Sequence, residues 1–361
     1  MSTSNTHVHI AALLSSCLDA AIQAGSVIRD VFQRGANKTF IDKSLSAPDE
    51  TPKGMSNSNE IDPQTEADLS AQRIIVASLR RKYPTVTIVG EEGELKCEAA
   101  DSRELSTSLC LESILGSDDS VEKARASLEN LAQLETSRII VWVDPLDGTR
   151  EFTEGRKDAV TTLVGISVDG EAFAGVVVVP FENKFVWGIK GVGAFGTVSP
   201  IYSASNHPLI DRCRLCTSRS HMNDVLRARL KRIGFDREED MIRVGGAGNK
   251  GVLLVTGEAN VYSYPREGTK RWDICAVHAI LEALGGSLTD MYGRPIRYNA
   301  PTVEFKSDGT EDDDAYNQRV LAEFTSSVSN NHGVLATLGV THSRFVIIEE
   351  GPQSVSEDTK M

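Results

Sequence analysis

The chain has 361 residues, 40% of them hydrophobic, and a formal net charge of −13. That is enough apolar material for one large domain or two halves, and the acidic balance argues against nonspecific binding to nucleic acid or anionic membranes. No run approaches the roughly 18 apolar residues of a membrane span, and the N-terminus lacks a basic region followed by a signal core. The last residues, Asp-Thr-Lys-Met, form no peroxisomal tripeptide, and six scattered cysteines suit a reducing compartment, so a cytoplasmic location is expected. Cys213-Arg-Leu-Cys216 is a lone CxxC without a second pair for zinc, and reads as two ordinary strand cysteines.

In chain order, Ile10, Leu14, Leu18, Ala21, Ile28 and Phe32 fall at helical spacing and predict an amphipathic helix within 8–33. Residues 36–63 are polar and read as a loop. Thr65 is placed to cap a helix from Glu66 to Lys82, with Asp68 in its first turn. A short strand, Val86–Val89, leads into Gly90-Glu91-Glu92. Residues 94–137 are rich in Glu, Ser and Asp and read as a surface excursion, helical near Val121–Leu134.

The stretch Val141–Phe152, VWVDPLDGTREF, is the centre of the chain. An apolar strand delivers Asp144 and Asp147, and Pro145 suggests that the strand ends where the acids begin. Two carboxylates there can share hard cations, with the Leu146 carbonyl as a further oxygen ligand. Gly148 permits close backbone approach, so the Gly148 and Thr149 amides could hold an anion beside those cations. Taken alone, D-P-L-D-G-T is also an ordinary turn composition.

Further on, Val160–Val168 and Ala172–Val179 flank Asp169-Gly170, a hairpin signal, and Lys184–Ile189 is another strand. Gly191-Val-Gly-Ala-Phe-Gly196 satisfies GxGxxG but lacks a following helix start, so it reads as a turn rather than a nicotinamide site. The second half alternates: strand Arg212–Thr217, helix Asn223–Ile233, strand Met241–Val244, a glycine loop and helix through Leu254, and strand Val261–Tyr264. Helix Ile274–Leu284, with Asp273 as its expected N-cap, then leads to strand Ser287–Asp290. His278 in that helix reads as a packed histidine, and acidic residues 303–331 read as a further insertion without EF-hand spacing. Hairpins first and alternating units later suggest two sheets layered with helices, a 1–205 half with the candidate metal-site stretch and a 206–361 half.

Asp68, Glu91, Asp144, Asp147 and Asp273 all lie at predicted element ends beside Gly, Thr or Trp. Five carboxylates meeting in one cleft would repel one another without cations. In this context GEE at 90–92, DPLDGT at 144–149 and W-D at 272–273, followed by an apolar helix and Gly285-Gly286, resemble the lithium-sensitive, magnesium-dependent phosphomonoesterases. That superfamily includes inositol monophosphatase, fructose bisphosphatase, inositol polyphosphate 1-phosphatase and the bisphosphate nucleotidases. The resemblance covers roughly Ala11 to Leu338 apart from the polar insertions. QTEAD ending at Asp68, DPLDGTREFTEG, TSRSH at 217–221, RVGGAGNK at 243–250 and GVLATL at 333–338 are most similar to the bisphosphate nucleotidase branch.

The resemblance implies an α+β or α/β fold, a layered α-β-α-β-α sandwich, binding two or three Mg²⁺ ions. Glu91, Asp144, the Leu146 carbonyl, Asp147 and Asp273 would hold the metal. Asp68 and Thr149 would form the catalytic couple that orients the attacking water, and the Gly148 and Thr149 amides would bind the phosphoryl oxygens. Ser218, His221, Gly246 and Lys250 would bind the nucleotide, with Lys250 and Arg219 neutralising the phosphate that is kept. The implied reaction removes the 3′-phosphate of 3′-phosphoadenosine 5′-phosphate, or of its sulfated form, in sulfur metabolism. An inositol polyphosphate 1-phosphatase and an inactive metal- and nucleotide-binding sensor are the alternatives. The implied partner is a small nucleotide, with no role for nucleic acid or membrane.

Overall fold

The computed structural model describes residues 6–43, 63–114, 119–202, 212–219, 224–301 and 325–347. The expected insertion at 303–331 falls largely outside these residues, as does most of 36–63.

Among the described residues, six strands form the first sheet. They are β1 (Thr87–Gly90), β2 (Ile139–Asp147), β3 (Thr161–Val168), β4 (Glu171–Val179), β5 (Lys184–Ile189) and β6 (Gly193–Gly196), in the order β6-β5-β4-β3-β2-β1. Only β1 and β2 pair in parallel; the other neighbours are antiparallel, as hairpin connections require. Asp169 and Gly170 both take positive φ, 51° and 77°, the backbone of a two-residue hairpin turn matched to strand twist. The second sheet holds β7 (Leu215–Ser218), β8 (Met241–Val244), β9 (Val261–Tyr264), β10 (Ser287–Thr289) and β11 (Val334–Thr337), in the order β8-β7-β9-β11-β10. Its first three strands are parallel, and the two pairs made by β11 are antiparallel.

Helices α1 (Ile10–Gln33) and α2 (Glu66–Lys82) cover one face of the first sheet. Helix α1 has the length and apolarity of a membrane span, but 14 of its 24 residues are buried in the core. Leu13, Leu14 and Leu18 are fully enclosed there, and truncating any one to Ala would cost about 2–5 kcal/mol. Short helix α3 (Thr149–Thr153) follows β2, and α4 (Asp224–Arg232) follows β7. Helices α5 (Ala247–Val255) and α6 (Arg271–Ala283) fill the space between the sheets. Alternation along β7 and β9 divides the packing: Cys216 and Tyr262 face this middle layer, while Leu215 and Val261 face Leu226 and Leu230 of α4. The result is an α-β-α-β-α sandwich, the fold class expected.

Three glycines stand abreast under α6. Gly165 of β3 pairs with Gly175 of β4, which pairs with Gly188 of β5. A Cβ on Gly175 would lie 2.4 Å from the Ala276 carbonyl oxygen, and one on Gly165 2.6 Å from Cys275 Cβ. The bare backbone lets α6 sit against the sheet at a depth no side chain permits.

Strand β2 departs from expectation. It does not stop at Pro145 but continues to Asp147, with a register shift between Asp144↔Leu163 and Asp147↔Thr161. One extra residue on β2 makes a bulge, so the missing proline amide falls where the ladder is already interrupted. The Thr162 hydroxyl donates to the Pro145 carbonyl at 2.9 Å. The region read as a surface excursion adds a strand, Gln133–Glu135, paired antiparallel with His7–His9, and its helix ends at Glu129 rather than Leu134. All six cysteines are free thiols; Cys216 lies within β7 and Cys213 just before it.

Candidate active site

Three carboxylates converge from three elements. Glu91 follows β1, its amide donating to the Val143 carbonyl at 3.0 Å, Asp144 stands on β2, and Asp273 on α6. One oxygen from each lies within 4.8 Å of the others. Asp273 is not the N-cap that was expected. Helix α6 begins at Arg271, so Asp273 is its third residue and accepts the Lys270 amide at 2.8 Å, the reach-back half of a capping box. The start is early because Thr269–Lys270 pair with Ser329–Asn330, which brings the chain to the helix already extended.

Burial pushes the Asp144 carboxyl well above its usual range, and the Glu91, Asp147 and Asp273 charges add to the shift. Asp273 is raised well above the carboxylate range for the same reasons, burial first and then Glu91. Asp144 Oδ1 is buried without a hydrogen-bond partner. An orphaned carboxylate oxygen among clustered acids is the donor set of a hard cation such as Mg²⁺, so these residues fit the expected metal. Lys43, which no sequence periodicity marked, donates to Glu91 at 3.0 Å and to Glu92 at 3.3 Å. The Glu92 side chain is enclosed, and burial followed by the Glu91 charge raises it to about 7.

The pair expected from DPLDGT and QTEAD is assembled. Thr149 Oγ1 lies 3.0 Å from Asp68 Oδ1 and 3.1 Å from the Leu146 carbonyl oxygen. Asp68 is 1% exposed, and its Oδ2 accepts the Thr65 amide at 2.7 Å in a capping box that starts α2 where the sequence placed it. Burial raises Asp68 to about 6, opposed by the Thr65 hydrogen bonds and reinforced by Glu91.

Asp147 stands beside these acids but is bonded elsewhere. Its Oδ1 accepts the Ala247 amide at 2.9 Å, and its Oδ2 accepts the Gly248 amide at 2.8 Å and the Thr161 hydroxyl at 2.6 Å. The unsatisfied amides of the α5 N-terminus explain the attraction. Gly148 takes φ 88°, and a Cβ there would sit 3.0 Å from the Ala159 carbonyl oxygen. Gly246 takes φ 71°, and its Cβ would meet Asp147 Oδ2 at 2.8 Å. Both turns require glycine.

Gly148, Thr149, Ser218, Gly246 and Lys250 line one cleft of about 410 Å³ together with Asp147 and Asp273. Lys250 is enclosed. It is 4% exposed, donates to the Gly246 carbonyl at 2.6 Å and lies 5.4 Å from the Tyr262 ring centre. Burial lowers its pKa, and the Asp147 charge opposes that shift. Arg219 points to acids of this chain: it bridges Glu151 at 3.1 Å and Glu154 at 2.8 Å. His221 lies outside the described residues. Sequence reading missed Lys43, Glu151, Tyr262 and Arg266, the last three of which also line the cleft; Glu151, two residues after Thr149, carried the only local hint.

The profile of the inositol monophosphatase family matches residues 11–329. The chain is 35% identical over 319 residues to human 3′(2′),5′-bisphosphate nucleotidase 1, covering 86% of this chain and 92% of that protein. It is also 35% identical over 306 residues to the protein of the same name from Dictyostelium discoideum, covering 81% and 89% respectively. A solved inositol monophosphatase from Thermotoga maritima shares the fold with a TM-score of 0.55 at 19% identity, covering 91% of this chain and 93% of that one. Fold, carboxylate cluster and sequence agree: the chain belongs to the inositol monophosphatase family.

Proposed function

We propose that this protein is a Mg²⁺-dependent 3′(2′),5′-bisphosphate nucleotidase. It removes the 3′-phosphate of 3′-phosphoadenosine 5′-phosphate, and of its 5′-sulfated form, leaving AMP or its sulfated counterpart and inorganic phosphate. The observation that carries the chemistry is the Thr149 hydroxyl held between Asp68 and the Leu146 carbonyl beside the three-carboxylate cluster. The names of the human and Dictyostelium relatives support the substrate.

Glu91, Asp144, the Leu146 carbonyl, Asp147 and Asp273 are the groups that would hold two or three Mg²⁺ ions. When bound, the ions supply positive charge for the phosphoryl group, the attacking water and the leaving oxygen. Asp68 orients the Thr149 hydroxyl, the hydroxyl orients the attacking water, and Asp68 receives the water's proton through it. A carboxylate raised to about 6 suits a base working near neutral pH. The Gly148 and Thr149 amides hold the phosphoryl oxygens. Ser218, Gly246 and His221 bind the nucleoside part, and Lys250 compensates the phosphate that stays. Six free thiols accord with work in the reducing cytoplasm.

The test is phosphate release from 3′-phosphoadenosine 5′-phosphate and from inositol 1,4-bisphosphate, each with and without Mg²⁺. Release from the nucleotide only with the metal is expected. Preference for the inositol phosphate would replace the substrate, and turnover of neither would leave a binding protein.

A further inference from the structure

We propose that Glu151, through its pairing with Arg219, fixes the span of the catalytic cleft and thereby selects substrates that carry two phosphates a ribose apart. This inference rests on the bisphosphate reading above. The pair joins the two sheets beside the cleft. Glu151 belongs to α3, which follows β2 of the first sheet, and Arg219 directly follows Ser218 at the end of β7 in the second. Arg219 Nη2 donates to Glu151 Oε1 at 3.1 Å and to Glu154 Oε2 at 2.8 Å, so an acid within α3 and one just past its end grip the same guanidinium.

Both anchors are stiff. On the first-sheet side Phe152, the residue after Glu151, is fully enclosed and meets Phe32 edge-on with ring centres 5.7 Å apart. The Phe152 carbonyl accepts Asn37 Nδ2 at 3.1 Å. On the second-sheet side Ser218 of β7 pairs with Val244 of β8, which sets Arg219 and Gly245 side by side just past the two strand ends. A Cβ on Gly245 would lie 2.0 Å from Glu151 Cδ, so only bare backbone leaves room for the carboxylate there. The ends of parallel strands are where α/β sheets present their ligand-binding loops, and Glu151 seats the first sheet against two such ends at once.

On charge alone, an acid is out of place in a cleft for a doubly phosphorylated substrate. Glu151 lines that cleft and is 5% exposed, and a carboxylate repels a phosphate. Stability does not account for it either. Arg219 Nε is buried without a hydrogen-bond partner, so the pair leaves a polar group unsatisfied, and enclosed ion pairs contribute little net stability. Position does account for it. The pair sets the distance from Gly148 and Thr149, assigned above to the phosphoryl group that leaves, to Ser218, Gly246 and Lys250, assigned to the part that is kept. Letting the two sides drift by about 1 Å keeps the departing phosphate seated and carries the retained one off its partners.

The experiment compares two substrates with the same nucleoside and the same 3′-phosphate, 3′-phosphoadenosine 5′-phosphate and adenosine 3′-phosphate, both with Mg²⁺. Wild type is expected to favour the bisphosphate. Glu151→Gln keeps the shape and removes the charge; it should lower kcat/KM for the bisphosphate about tenfold or more, mainly through KM, and change that for adenosine 3′-phosphate less than about threefold. Electrostatics alone predicts the opposite sign, because deleting a negative charge favours an anion, so a bisphosphate KM that falls or stays put overturns the proposal. An equal loss on both substrates also overturns it, since that marks a merely structural role. Glu151→Gln/Arg219→Gln should do no more harm than either change alone, and additive losses would contradict a shared task. If Glu151→Gln lowers the melting temperature, Glu154→Gln, at a more exposed side chain, should erode the same substrate preference with a normal melt; an unaltered preference there overturns the proposal. A wild type that turns over neither nucleotide, or prefers inositol 1,4-bisphosphate, refutes the substrate reading and this proposal with it, whereas a wild type that hydrolyses both nucleotides equally well overturns this proposal alone.

Discussion

Thr149→Val tests the proposed chemistry at its narrowest point. Valine matches threonine in shape, so the change removes only a hydroxyl that lies 3.0 Å from Asp68 and 3.1 Å from the Leu146 carbonyl. Both acceptors belong to buried residues, and Asp68 keeps its two Thr65 bonds through the other oxygen. Losing a hydrogen bond to a charged group costs about 1.5–3 kcal/mol of stability. A purely structural threonine would lose that and little else. As the link between the water and Asp68, it should also lose about 10²–10⁴ in kcat, equivalent to about 2.7–5.4 kcal/mol of barrier. Phosphate release at saturating nucleotide, nucleotide affinity and urea unfolding separate the two cases. The expected result is a collapsed kcat with near-normal affinity, and rescue by Thr149→Ser, which restores the hydroxyl. A Thr149→Val enzyme whose kcat stays within about threefold of wild type, despite a lowered unfolding midpoint, would refute the role.

Three other outcomes follow from the same structure. Saturating Mg²⁺ should raise the melting temperature, since free metal at 100 times its Kd contributes about 2.7 kcal/mol; Asp273→Asn, which retains an acceptor for the Lys270 amide, should lose most of that rise in a thermal melt. Gly175→Ala forces a methyl toward the Ala276 carbonyl and should cost about 1–3 kcal/mol in urea unfolding, together with activity, because α6 carries Asp273; an unaltered midpoint would contradict the close approach. Glu282 is held below the usual carboxylate range first by its His278 hydrogen bond and also by Lys190. Its contribution to stability is therefore present above the ordinary Glu pKa and is lost as pH falls through the folded value. The stability difference between wild type and Glu282→Gln should shrink on acidification, whereas a difference constant with pH would count against the linkage.

Where the sequence was informative, local rules and tertiary packing agreed. Strands β5, β8 and β9 and helix α2 run between the residues that hydrophobic alternation and the Thr65 cap indicated. Asp68, Glu91, Asp144 and Asp273 stood out because each is an acid beside or within an apolar run, where a charge needs a reason. Failures arose where a long-range partner decided the outcome. Pro145 looked like a stop, but a bulge against β3 absorbed it. Arg219 looked free for a phosphate until Glu151 and Glu154 folded onto it. Nothing in their own neighbourhoods shows that Gly165, Gly175 and Gly188 line up across three strands.

Asp147 has a further consequence. It belongs by sequence to the first sheet, yet two of its three donors are amides of the helix packed beneath the second. That one side chain rivets the two sheets together a few residues from the groups that perform the reaction. Loosening the second sheet would strip those donors and free a negative charge into the cleft, so the loss of inter-sheet cohesion and the scrambling of the reaction centre would be a single event.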